Sequence, residues 1–170
     1  MRNQKTRTVA FMGLLVALAI TLSYIEALVP SFIPVPGVKL GLSNIATMYC
    51  LFFVGAPSAL LLAVLKSAFV LLTRGVTAGA LSLAGGLLSV GVMALATALH
   101  ASKGLASVAG AVFHNLGQLA AAYLLLRTAT VLYYAPVLIL SGVVMGVLTA
   151  SALRLLLPAL QRIRGQNGNK

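Results

Sequence analysis

His114, Asn115 and Gln118 stand together in the stretch AGAVFHNLGQLAAAYLLL, residues 109–126, which is otherwise apolar enough to lie in a lipid bilayer. A histidine and two carboxamides supply directional hydrogen bonds. At helical spacing His114 and Gln118 share a face at i, i+4, and Asn115 pairs with Gln118 at i, i+3. Interhelical packing is one use for such groups, with each polar contact contributing about 0.6–2 kcal/mol. Three of them in so short a run exceed what one helix contact needs, which favours a polar cavity. Lys66 lies inside another apolar run. An ionisable group at membrane depth is costly and faces a cavity or a partner. Glu26 is the one carboxylate in the chain, so it is the residue able to position Lys66, either at a binding site or in a purely structural pair.

Composition decides what must hold these residues. The 170 residues are 61% hydrophobic and only 8% charged, with a mean hydropathy of +1.07. Soluble domains carry about 25% charged residues, so this is an integral membrane protein. About 20 apolar residues cross the hydrocarbon core. On that rule six segments are expected, at 9–29, 40–54, 58–73, 78–99, 105–126 and 131–157, giving an all-α bundle in one membrane domain, 1–170. The basic stretches 1–7 and 158–170 read as tails. The second and third segments are short and only Gly55, Ala56 and Pro57 separate them, so a tilted or incompletely spanning hairpin is an alternative there. The basic start followed by an apolar centre mimics a signal peptide, but the run continues to Val29 with no clear small-residue cleavage site.

Lysine and arginine set the orientation. Arg2, Lys5 and Arg7 precede the first segment, Lys103 lies between the fourth and fifth, and Arg154, Arg162, Arg164 and Lys170 close the chain. Those flanks are expected on the cytoplasmic side, and two cytoplasmic termini require an even number of crossings. Lys39, Arg74 and Arg127 then map to the outer side. Three prolines and Gly37 break the helix across residues 30–44 and would deliver Lys39 and Asn44 to the outward-facing start of the second helix. An anion arriving there would meet free backbone N–H groups and Lys39. Arg127 can simply anchor at the headgroups.

Several chemistries are unsupported. There is no aspartate, so the carboxylate clusters that hold magnesium on a diphosphate are missing. Cys50 is the only cysteine and offers no thiolate metal site. No GxxxxGK[ST] loop is present to bind ATP, and no spacing recommends a Ser–His–Asp arrangement. Neither a cofactor nor a metal is expected, and the protein reads as a non-enzyme. The formal charge of +11 is dispersed with no soluble domain to present it, which excludes nucleic acid as a partner. Small residues repeat at four-residue spacing in Gly13–Ala17–Thr21, Ser82–Gly86, Gly85–Ser89 and Gly142–Gly146–Ala150, as close helix packing requires.

The stretches PGVKLGLSNIATM, SLAGGLLSVGVMAL and GAVFHNLGQL resemble the Gx transporter family, labelled heptaprenyl diphosphate synthase component I, over roughly residues 5–157. That family is similar in topology to the S components of energy-coupling-factor vitamin transporters. The resemblance implies a bacterial plasma-membrane subunit with a small-molecule ligand and, at Gly13 and Ala17, a docking surface for an ATPase-driven coupling module. Read with the residues, it points to import of a small anionic vitamin-like or prenyl/quinone-precursor solute, energised by a partner. Lys39 and Arg74 would attract the anion and Lys66 would neutralise it. Asn44, His114, Asn115 and Gln118 would hydrogen-bond it, with Glu26 positioning Lys66. The alternatives are a noncatalytic membrane subunit of isoprenoid-quinone synthesis and a proton-coupled transporter that titrates Glu26 and His114.

Overall fold

A computed structural model describes residues 2–28 and 42–165. The regular structure among them is helical: α1 (Arg2–Leu28), α2 (Leu42–Phe53), α3 (Ala56–Arg74), α4 (Val76–Ala98), α5 (Lys103–Leu126) and α6 (Ala135–Gly165), with a 3₁₀ turn over Ala129–Tyr134 ahead of α6. Five helices are long and apolar enough to cross a membrane. The sixth, α2, has 12 residues. At 1.5 Å per residue it is about 18 Å long, well short of the ~30 Å hydrocarbon core. Together they form an all-α, multi-pass membrane bundle.

Two expectations about length change. The third segment is not short: Pro57 sits in the first turn of α3, where its missing N–H costs no hydrogen bond, so the helix starts at Ala56. The connection expected over 74–77 shrinks to Gly75, whose φ of 89° places it where only glycine turns freely. The basic ends also continue as helix, α1 from Arg2 and α6 through Gly165.

Contacts set every neighbouring pair antiparallel. Phe11 and Met12 of α1 meet Tyr49 and Cys50 of α2. Ser67 of α3 meets Ser82 of α4, and Ser107 of α5 donates to the Gly146 carbonyl of α6 at 2.8 Å. Short α2 packs on α1, α3, α4 and α6, so it lies inside the ring made by the others. Its Met48, Tyr49 and Cys50 join Leu15, Leu62, Val90, Met93 and Leu153 in an apolar core nearer the chain termini. The α4–α5 and α5–α6 pairs approach closely on glycine. A Cβ on Gly117 would fall 2.9 Å from the Ala84 carbonyl oxygen, and one on Gly146 would fall 2.5 Å from the Val108 Cα. Three of the small-residue repeats thus pack inside the bundle, whereas nothing lies within 4 Å of a Cβ placed on Gly13.

Candidate functional site

In the half of the bundle beyond the N-terminus of α2, described side chains line the space at the centre. They are polar. Glu26 comes from the last turn of α1, Asn44 from the first turn of α2 and Lys66 from the middle of α3, while His114, Asn115 and Gln118 come from α5; all six line one cavity. Ser23, Ser43, Ser82, Ala111, Gly142 and Met145 also line it, so every helix contributes. The space is small, about 30 Å³. A single water needs about 10–15 Å³ by this measure, so the cavity admits roughly two water-sized molecules.

Lys66 is 4% exposed and Glu26 7% exposed, two opposite charges withdrawn from lipid into one polar space. The Lys66 ammonium donates to Ser43 Oγ at 3.2 Å and to Asn44 Oδ1 at 3.4 Å, which ties α3 to the start of α2. Gln118 Nε2 and His114 Nε2 lie 3.2 Å apart along α5. With the amide nitrogen as donor, the imidazole nitrogen accepts. Asn115 does not pair with Gln118. One residue after His114 it is rotated by about 100° around the helix, and its Nδ2 donates to the Leu138 carbonyl at 2.8 Å and to Ser141 Oγ at 3.2 Å on α6. It therefore lines the cavity and braces α5 against α6 together.

Arg74 is outside the cavity wall. Its Nη2 donates to the Ser23 carbonyl at 2.9 Å, joining the end of α3 to α1 just behind that wall. Lys39 lies outside the described residues. Gly13 and Ala17 are exposed on α1, away from the cavity. Arg127 caps α5 in the left-handed region, with φ 53° and its N–H bonded to the Tyr123 carbonyl. The serines were missed in sequence. Ser23 lies one turn before Glu26 and Ser43 adjoins Asn44, but serine in an apolar helix is so often a packing residue that nothing singled them out. Among the described residues no three His, Cys, Asp or Glu side chains group as metal ligands.

Residues 15–156 match the family model described as heptaprenyl diphosphate synthase component I. The chain belongs to that family. No curated protein and no solved structure matches it. The component I match begins inside α1 and ends inside α6, so every cavity-lining residue falls within it, as does Ala17, whereas Gly13 does not.

Proposed function

We propose that the protein is a noncatalytic membrane subunit of heptaprenyl diphosphate and isoprenoid-quinone synthesis, whose buried cavity receives a small polar or anionic group. The observation that carries this reading is the cavity itself. At about 30 Å³ it falls far below the roughly 300–1,000 Å³ of pockets that enclose drug-sized ligands. A vitamin would need the helices to part, whereas a single headgroup or ion needs far less. The carboxylates that would hold magnesium on a diphosphate are missing, with one acid in the whole chain, so the prenyl-transfer chemistry belongs to a partner. The family name supports the same assignment.

Within this reading Lys66, the first turn of α2, Asn44, Asn115, Gln118 and His114 hold the incoming group, with Glu26 balancing Lys66. Lys39 and Arg74 attract the anion electrostatically. The basic ends of α1 and α6 and Lys103 face the cytoplasm of a bacterial cell in this reading, which puts the cavity in the outer half of the bundle. A second reading, import of an anionic solute by a subunit driven through a coupling module docked at Gly13 and Ala17, is favoured by one observation: the cavity lies in the half of the bundle opposite both termini.

Reconstitution separates the two readings. The soluble synthase partner purified with this chain from native membranes is expected to form more heptaprenyl diphosphate in liposomes carrying the chain than in empty ones, and Lys66→Met is expected to remove most of that gain. Co-purified ATPase subunits, with synthesis unaffected by the chain, would replace the subunit reading by the import reading.

A further inference from the structure

A second cationic feature lies at the opposite end of the bundle from the cavity. Lys103 is the first residue of the apolar α5 span, and Arg154 lies in the later part of α6. Lys103 therefore sits at the boundary between hydrocarbon and water, the depth of lipid phosphates. Lys103 and Arg154 are brought to one place. A Cβ on Gly104, the neighbour of Lys103, would lie 3.6 Å from Arg154 Nη2, so the guanidinium packs on the bare backbone of the first α5 turn. The Lys103 ammonium is held over the Phe53 and Phe52 rings, 5.2 and 5.8 Å from their centroids, at the end of α2.

No acidic side chain balances this pair. The chain's only acidic side chain, Glu26, is in the cavity half, whereas Arg2, Lys5, Arg7, Arg162 and Arg164 lie on the helix ends that share this end of the bundle. The positive end of the α5 dipole adds to the repulsion rather than relieving it. Leu105, Leu148 and Leu155 expose apolar side chains on the same two helices.

We infer that Lys103 and Arg154 hold the phosphate of a lipid at the membrane surface, with its apolar tail lying on the outer faces of α5 and α6. The inference does not depend on the cavity or on the subunit reading. The same phosphate chemistry is offered by an anionic glycerophospholipid and by a prenyl diphosphate, and the two can be told apart.

The test is native mass spectrometry of the detergent-extracted full chain titrated with phosphatidylglycerol, phosphatidylcholine, farnesyl diphosphate and inorganic diphosphate in separate arms. One phosphatidylglycerol or one farnesyl diphosphate is expected to survive activation that strips phosphatidylcholine. The double variant Lys103→Gln/Arg154→Gln should weaken that retention roughly tenfold or more, while Arg127→Gln, at the other end, should leave it unchanged. Retention of phosphatidylglycerol alone assigns a membrane lipid. Tighter retention of farnesyl diphosphate than of inorganic diphosphate assigns the prenyl lipid. Equal retention of phosphatidylcholine and phosphatidylglycerol with no farnesyl diphosphate bound, or unchanged retention in a double variant whose melting temperature matches the parent, would overturn the inference.

Discussion

The two halves of the bundle are built from the same helices yet filled in opposite ways. Near the termini, α2 occupies the centre, and Met48, Tyr49 and Cys50 pack against Leu62, Val90, Met93 and Leu153 with almost no accessible surface. Beyond the N-terminus of α2 there is no helix at the centre among the described residues, and Lys66, Ser43, Asn44, His114 and Gln118 meet instead through hydrogen bonds. The first half is held by shape. The second is held by partners, because each polar group taken from water must find one. A short helix at the centre of long ones thus places a polar site among the described helices.

This contrast can be broken by substitution, with stability followed as melting temperature in detergent. The largest effect is expected from Lys66→Met, which leaves Glu26 as the only formal charge in a buried space and removes the donor to Ser43 and Asn44. Removing one of two buried opposite charges costs about 3–5 kcal/mol. Adding Glu26→Gln should recover about half of that loss. If the double variant is no more stable than the single one, the two charges act independently and the polar half is not organised by them.

In the apolar half, Leu62→Ala deletes a fully buried side chain where the neighbours close the gap only in part, and a loss of about 3 kcal/mol is expected. No second substitution should rescue it except one that restores volume. A loss below 1 kcal/mol, flagged by an almost unchanged melting point, would mean that this half is loosely packed and the contrast is false, since such cavities cost about 2–5 kcal/mol.

The smallest effect tests the boundary between the halves. Thr47 is one turn along α2 from Ser43, buried, and its Oγ1 has no hydrogen-bond partner among the described residues. Thr47→Val keeps the shape and removes the orphaned hydroxyl, so stability should rise by up to about 1 kcal/mol. A drop of that size would show that Thr47 belongs to the polar half after all.

Much of this was legible in the residues. Long apolar runs announced the crossings, because lipid leaves the backbone no partner but its own helix. Lys66, Glu26, His114, Asn115 and Gln118 stood out because polar groups are rare where hydrocarbon surrounds the chain. Ser23, Ser43 and Ser82 did not, since their hydroxyls can bond within their own helix and give no sign of facing a shared space.

The sequence alone determined that the protein is a helical, multi-pass membrane bundle with one acid and one deeply placed lysine. Hydropathy and charge are properties of each segment by itself. Only the tertiary structure decided that α2 lies in the middle, that all six helices close on one cavity of about 30 Å³, and that Asn115 turns to α6 while Arg74 binds a carbonyl of α1. Those outcomes depend on which faces meet across residues far apart in the chain. Spacing within a segment carries no record of that, because the partner that satisfies a buried polar group is chosen by packing.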